Sequence, residues 1–347
     1  MEVSPYNVTI KSNSSSYVVQ ELESYVQFHF HEYDLVVIDT CVFDNHELKI
    51  NCPIIKIDAS ESAKEYHNLS PIFDALIKLR INRNSKVLAL GGGVVQDIVT
   101  FVSSLYFRGI SWDFMPTTLL AMGDSCIGGK SSINFRNTKN VIGNFHPPKR
   151  IFLCVEFLAS LNEVNLKSGI GELYHYAFLR KREDFDWYNK ILDKGFNQLS
   201  LEDYRKLIWK TLNIKKEIIE EDEFDTGRRL FNNWGHTIGH ALEAITDFAI
   251  PHGQAVLTGI FFELKLLELL NNKNYDKFTS VVQEFITEYG YNETLSFNPE
   301  HLFEIIKKDK KNIKGQIVTV NLLEIEQLKL SFIDELQYHS LLKSIIQ

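Results

Sequence analysis

Four short apolar runs set the tightest limit on what this chain can fold into: DLVVID (34–39), IIKID (54–58), KVLALGGG (86–93) and RIFLCV (150–155). Their Val, Ile and Leu come in succession rather than alternating with polar residues, so each is expected to be a strand covered on both faces. Between them, 61–80 and 94–106 carry apolar residues at helical spacing. Strand, helix and strand in repetition predict a parallel α/β sheet, because parallel neighbours need a crossover between them. From about residue 157 the texture changes to long amphipathic stretches at 202–221, 229–246 and 254–271, and strand character returns only at IVTVNLL near 317. The reading is an α/β domain over 1–156 followed by a mainly helical domain over 157–347.

The 347 residues are 44% hydrophobic and 24% charged, the balance of an ordinary globular chain with a sizeable core. A net charge of −8 argues against nucleic acid as a partner, since phosphate contacts need a basic face. One basic cluster, Lys307, Lys308, Lys310 and Lys311, reads either as a solvated helix end or as a seat for a small anion. Cys41, Cys52, Cys126 and Cys154 lack paired spacing, so neither a zinc ribbon nor a disulfide framework is expected. The start MEVSPYNVTIKSNSSS has no basic segment leading into an apolar one, and no apolar run approaches the roughly 20 residues of a membrane helix. A cytoplasmic protein with no membrane partner is the expectation.

Chemistry gathers in a few segments. In LALGGGVVQD (88–97) a strand runs through three glycines into a helix, where bare backbone and free N–H groups can meet a phosphate; a tight turn is the plainer reading. Asp39 closes an earlier strand, where a carboxylate can accept both hydroxyls of an adenosine ribose. PTTLLAMGDSCIGGKSSIN (116–134) brings Asp124, Gly128, Gly129 and Lys130 into one loop-like segment, with Lys139 and Asn140 close behind; lysine beside flexible glycine suits phosphate. GHTIGH (235–240) sets His236 and His240 one helical turn apart, as a metal site, a catalytic pair or two polar surface residues. Glu172 lies in the apolar SGIGELYHYA, where a carboxylate is costly unless paired or ligated, and His252 sits in IPHGQAV. One glutamate and two or three histidines from three segments fit a zinc with an open position; separately satisfied side chains fit them equally well.

In order along the chain, GGGVVQD, YFRG (106–109), PTTLLAMGDSCIGGKSSIN, KNVIGNF (139–145), SGIGE (168–172), GRRLFNNWGHTIGHALE (227–243) and PHGQAV (251–256) resemble 3-dehydroquinate synthase and the wider sugar phosphate cyclase family. The resemblance spans roughly residues 35–315. It implies a Rossmann-like NAD-binding domain ahead of a helical metal-binding one. It also implies Glu172, His236 and His252 as zinc ligands, with cobalt as the alternative ion, and His240 as a substrate contact beside the metal. Asp39, Glu61, Lys64, Gly92, Gly93, Asp97, Thr117 and Thr118 match NAD-contacting positions, with Asp124 and Lys139 toward the nicotinamide. Lys130, Asn140, Lys215, Arg229 and Asn233 match substrate contacts. Arg108 matches an arginine that reaches the phosphate across a homodimer interface, and Lys310 or Lys311 a phosphate-binding lysine. The implied activity is that of a carbon–oxygen lyase: a phosphorylated keto-sugar or keto-sugar acid loses phosphate, a carbocycle closes, and NAD ends the turnover as it began.

Three positions depart from the family pattern. Gln96 stands where GGGVxGD has its last glycine, Gln254 replaces the glutamate of HGEAV, and His175 replaces a lysine three residues after Glu172. That lysine touches a substrate hydroxyl in the synthases. His175 therefore reads either as an imidazole doing the same hydrogen-bonding or as a sign of a changed hydroxyl pattern. A metal-dependent alcohol dehydrogenase of the glycerol dehydrogenase kind shares the two-domain plan, but its metal site begins with Asp and it lacks the GGK and KN lysines. A catalytically inactive binding protein is the third reading, against which the intact Glu172, His236 and His252 stand.

Overall fold

The structure, a computed structural model, describes residues 6–136, 138–290, 297–309, 311–325 and 327–346. Packing divides the chain into two compact units, Met1–Leu161 with Tyr204–Phe224, and Asn162–Asp203 with Asp225–Gln347. The segment Tyr204–Phe224 thus groups with the α/β unit, where the sequence reading places it in the helical domain.

Among its described residues the first unit holds nine strands: β1 (Asn7–Lys11), β2 (Ser16–Glu21), β3 (Leu35–Asp39), β4 (Ile54–Ile57), β5 (Val87–Gly91), β6 (Trp112–Pro116), the hairpin β7 (Ile133–Phe135) and β8 (Thr138–Ile142), and β9 (Arg150–Leu153). Seven form one sheet in the order β1-β2-β9-β6-β5-β3-β4, parallel throughout except where β1 meets β2. From β3 the chain steps outward to β4, then returns past β3 to β5. The carboxyl ends of β3 and β5 therefore flank the switch point at which such sheets take a ligand. Helices α1 (Thr40–Asn45), α2 (Ser70–Lys78) and α3 (Gly93–Leu105) make the crossovers.

The four apolar runs become β3, β4, β5 and β9, but the central strand β6 escapes the hydrophobic pattern because WDFMP carries an acid and a proline. Asp113 is tolerated in the sheet because Arg150 Nη2 lies 2.6 Å from its Oδ2 and the Tyr33 hydroxyl donates to the same oxygen at 2.8 Å. The helix expected over 61–80 begins only at Ser70, with Pro71 in its first turn; 61–64 and 66–69 are single 3-10 turns.

The second unit is built from α4 (Glu163–His175), α5 (Arg182–Leu192), the first turn of α6 (Leu201–Glu221), α7 (His236–Ile245), α8 (His252–Asn271), α9 (Asp276–Tyr289), α10 (Pro299–Ile306), the antiparallel pair β10 (Gln316–Glu324) and β11 (Gln327–Asp334), and α11 (Glu335–Ile346). Ile238, Leu242, Leu266, Leu302, Ile317, Tyr338 and Leu342 share its core. The helix expected over 229–246 is broken: a 3-10 turn at Arg228–Asn233 ends in extended Trp234, Gly235 turns left-handed at φ 78, and α7 starts at His236. No described helix is long and apolar enough to cross a membrane.

Candidate active site

At the switch point of the first unit, α3 begins at Gly93 with Gly92 before it and, among the described residues, no side chain capping it. Its first N–H groups and the positive end of its dipole are what an anion needs. A Cβ at Gly92 would sit 2.9 Å from Thr118 Cγ2, so only glycine lets β5 and the turn after β6 come this close. Thr117 is buried there and donates its N–H to the Gly91 carbonyl at 3.0 Å. Asp39 closes β3 and caps α1, accepting from the Cys41 N–H at 2.9 Å through Oδ1. Burial pushes its carboxyl above the usual range.

Beside the glycines, residues expected to serve cofactor and substrate meet in one polar network. Buried Lys64 lies 2.9 Å from Asp97 Oδ2 and 3.5 Å from Glu61 Oε1, and donates to Asn140 Oδ1 at 2.9 Å. Lys139 approaches Glu61 at 3.7 Å. Asp97 also accepts from the Ser132 N–H at 2.9 Å; burial pushes its carboxyl up to about 6 against the downward pull of Lys64. Asn140 holds a left-handed φ of 54 and donates its N–H to Asn134 Oδ1 at 2.9 Å. Lys215, on α6, is buried and donates to both the carbonyl and Oδ1 of Asp124, at 2.8 and 2.7 Å. Asp124 therefore grips an expected substrate lysine. Lys130 is exposed, and Arg108 projects from a left-handed turn, φ 64, after α3.

The second unit gathers Glu172, His236, His240 and His252. Glu172 comes from α4, His236 and His240 from the first turns of α7, and His252 is the first residue of α8. The helices can meet because Gly253 has no side chain: a Cβ there would lie 1.7 Å from the Ser168 carbonyl oxygen. Glu172 Oε1 stands 3.6 Å from His236 Nε2, and Oε2 3.4 Å from His252 Nε2. Each of the three histidines presents a ligand atom within 4.8 Å of the others.

Proton placement shows what this cluster fits. His236 Nδ1 lies 3.0 Å from the Trp234 carbonyl, and His252 Nδ1 lies 3.1 Å from Glu243 Oε2. Both acceptors call for an N–H at Nδ1, which leaves each Nε2 as the ring atom that faces the Glu172 carboxylate. Glu172 Oε2 is buried and accepts no hydrogen bond. Burial alone would raise the Glu172 carboxyl, but His236 and His175, with the hydrogen-bonding reach of His236 and His252, hold it well below the usual carboxylate range. Desolvation pulls His252 down, yet Glu172 and Glu243 outweigh it and raise the imidazole well above its ordinary value, so a proton on Nε2 bridges it to Glu172 until a cation takes that place. A carboxylate facing two imidazole Nε2 atoms is, once the shared proton is given up, a donor set for a divalent cation.

The second unit carries further expected residues. Arg229 is buried in the 3-10 turn leading to α7, and Asn233 closes that turn by donating to the Leu230 carbonyl at 3.0 Å. Lys311 Nζ lies 3.5 Å from the Thr237 hydroxyl and 3.4 Å from Asp309, while Lys310 lies outside the described residues. His175 is 1% exposed, with Nδ1 2.6 Å from the Glu172 carbonyl and 3.7 Å from Glu172 Oε1. Gln254 donates to the Tyr289 and Gly290 carbonyls at 3.3 and 3.2 Å, an arrangement that a glutamate could satisfy only when protonated. Sequence reading missed Glu243, which orients His252. It also missed Glu263, whose Oε2 accepts the Gly235 N–H at 2.9 Å just ahead of His236. A carboxylate seven residues after His236 was the available signal for Glu243; nothing local marks Glu263.

Residues 54–168 match the family model described as 3-dehydroquinate synthase N-terminal, and 169–312 the one described as 3-dehydroquinate synthase C-terminal. A 3-dehydroquinate synthase of Pyrococcus furiosus is 37% identical over 282 residues, which is 81% of this chain and 81% of that protein. The solved structure of 2-deoxy-scyllo-inosose synthase complexed with carbaglucose-6-phosphate, NAD+ and Co2+ superposes with a TM-score of 0.84 at 20% identity, covering 97% of this chain and 99% of that one. That of 2-epi-5-epi-valiolone synthase from Streptomyces hygroscopicus, with NAD+ and Zn2+ bound, gives 0.80 at 22% identity over 96% and 98%. At such identities the solved structures carry the fold.

Proposed function

The chain belongs to the 3-dehydroquinate synthase family, and on that ground we propose that it is an NAD- and zinc-dependent sugar phosphate cyclase, a lyase that releases phosphate from a phosphorylated keto-sugar or keto-sugar acid as a carbocycle closes. The observation that carries this reading is the convergence of the His236 and His252 Nε2 atoms on the buried Glu172 carboxylate. Bound NAD and a divalent ion would supply a reversible hydride acceptor and Lewis acidity. Glu172, His236 and His252 hold the ion, and His240 contacts substrate beside it. The N-terminus of α3 at Gly92 and Gly93 takes the pyrophosphate, with Asp39 on the ribose and Glu61, Lys64, Asp97, Thr117, Thr118, Asp124 and Lys139 around the dinucleotide. By the family resemblance, Lys130, Asn140, Lys215, Arg229, Asn233 and either Lys310 or Lys311 serve the substrate's anionic and hydroxyl groups. Arg108 serves the partner subunit of a cytoplasmic homodimer.

Substrate choice turns on His175. Its Nδ1 is committed to the Glu172 carbonyl, and a buried imidazole cannot extend as a lysine does. A site built for one hydroxyl arrangement rejects another strongly, because buried polar groups are left unpaired. The seven-carbon 3-deoxy keto-acid phosphate of the synthases is therefore expected to turn over poorly, and a related sugar phosphate to be preferred. The test is steady-state phosphate release with NAD across a panel of sugar phosphates. Full turnover of the seven-carbon acid, unchanged or improved by His175→Lys, would leave a plain 3-dehydroquinate synthase. Accumulation of NADH in step with product would instead support a dehydrogenase.

A further inference from the structure

We infer that Gln96 is a positioning residue, fixing the turn at 121–125 through Ser125 and so holding Asp124 where it grips Lys215. The family pattern puts glycine at this place. Here the side chain is 3% exposed, and both ends of its carboxamide land on one residue. Nε2 donates to the Ser125 carbonyl at 2.6 Å, and Oε1 accepts from the Ser125 hydroxyl at 2.6 Å. Two bonds to one residue fix its orientation as well as its place.

The segment they fix needs fixing. Ala121–Ser125 is a π-helical turn, a wide and uncommon conformation closed by the Cys126 N–H on the Ala121 carbonyl at 3.0 Å. Asp124 lies within that turn, and two of its oxygens accept the Lys215 ammonium at 2.7 and 2.8 Å. Lys215 is only 6% exposed, so a shift of the turn would cost it the partners that make its burial tolerable. Asp97, the next residue on α3, holds Lys64 at 2.9 Å. Consecutive residues of one helical turn thus anchor two lysines, and the same turn opens the proposed pyrophosphate seat. The functional consequence rests on the reading of Lys215 as a substrate contact; the positioning role does not.

The experiment reads Lys215 directly, without metal or substrate. Protein is labelled briefly with an acetylating N-hydroxysuccinimide ester, and acetylation of each lysine is measured by peptide mass spectrometry, with buried Lys64 as the internal reference. Losing both bonds in Gln96→Gly frees the half-buried Ser125 from its anchor, so Lys215 labelling relative to Lys64 should rise about tenfold. Ser125→Ala keeps the carbonyl bond and loses the hydroxyl bond, for a rise of about threefold. Gln96→Glu puts a carboxylate against the Ser125 carbonyl and should behave like the glycine variant. An unchanged ratio overturns the inference, and so does a rise shared equally by Lys64, which would mean general loosening. In the NAD- and zinc-loaded enzyme, Gln96→Gly should raise KM for the preferred sugar phosphate more than it lowers kcat. Raised labelling with an unmoved KM would leave the positioning role standing and remove Lys215 from the substrate site.

Discussion

The two units prepare for ligands in opposite ways. In the first, buried charges are already matched: Lys64 by Asp97, Lys215 by Asp124 and Asp113 by Arg150. What it leaves for a guest is backbone, the start of α3 behind Gly92. In the second, a buried carboxylate faces two imidazole Nε2 atoms, with Glu243 and the Trp234 carbonyl engaging the Nδ1 on the far side of each ring. An anion site can be complete while empty, since helix N–H groups need no counter-charge to stay folded. A cation site built from a carboxylate and imidazoles holds a shared proton until the cation replaces it, and the bound cation then adds its binding free energy to folding. Metal should therefore matter to the stability of the second unit far more than nucleotide matters to the first.

The largest expected effect breaks the metal side of that comparison. His252→Ala removes one of three proposed ligands, and bound zinc and activity should fall together to background. In the wild-type protein a chelator should lower the melting temperature, because an ion present at about a thousand times its dissociation constant adds about 4 kcal/mol. The variant's melting temperature should ignore the same chelator. Stoichiometric zinc in His252→Ala, by elemental analysis, would reject the ligand set and favour His240 as a ligand beside His236.

Next in size is a pH effect of the second unit, set at higher pH than that of Asp97 in the first. Glu263 is 2% exposed and is held by a backbone N–H, with burial pushing its carboxyl up to about 7. A carboxyl whose folded pKa exceeds its unfolded 4.5 binds its proton more tightly when folded. Its contribution is thus full below about pH 4.5 and is lost as pH rises through 7, a swing of about 3 kcal/mol. Glu263→Gln should make the fall in denaturant-measured stability between pH 5 and 8 shallower, leaving the share of Asp97, and match or exceed wild type at pH 8, its amide having the Thr319 hydroxyl as an acceptor. A variant with the wild-type slope would assign the dependence elsewhere.

A smaller effect sharpens the same side. Glu243 touches His252 Nδ1 and not the proposed ion, so Glu243→Gln should keep the metal while weakening it about 10- to 100-fold. Competition with a chromogenic chelator reads this directly. Affinity equal to wild type would mean the His252 tautomer is set without Glu243.

How far the sequence reached follows the same divide. The switch-point glycines, β3 and β5 were readable because unbroken apolar runs and a glycine triplet are local signals. The histidine pair was readable at i,i+4, and the glutamate and third histidine came through the order of the family segments. What stayed hidden depends on partners distant in the chain. β6 was masked because Asp113 is acceptable in a sheet only once Arg150 and Tyr33 are beside it. The break before α7 was masked because 229–246 keeps helical spacing across the turn, and only packing demands the left-handed Gly235. Gln96 was visible as an odd residue, but its hold on Ser125 crosses 29 positions.

The smallest expected effect tests the nucleotide side, where one residue does two separable jobs. Asp39 caps α1 through Oδ1 and, in the proposed function, offers its carboxylate to the ribose of NAD. Serine is as good a helix cap as aspartate but carries no charge. Asp39→Ser should therefore melt within about 0.5 kcal/mol of wild type, whereas Asp39→Ala should lose about 1 kcal/mol with the cap. Both should bind NAD about tenfold more weakly, the share of one charge-assisted hydrogen bond at a half-buried site. Zinc content should stay unchanged in both, since the metal side chains all belong to the other unit. Calorimetric titration with NAD, run beside metal analysis, decides the matter. NAD affinity preserved in Asp39→Ser would leave the residue as a helix cap and nothing more, and loss of zinc in either variant would mean that the two preparations are not independent after all.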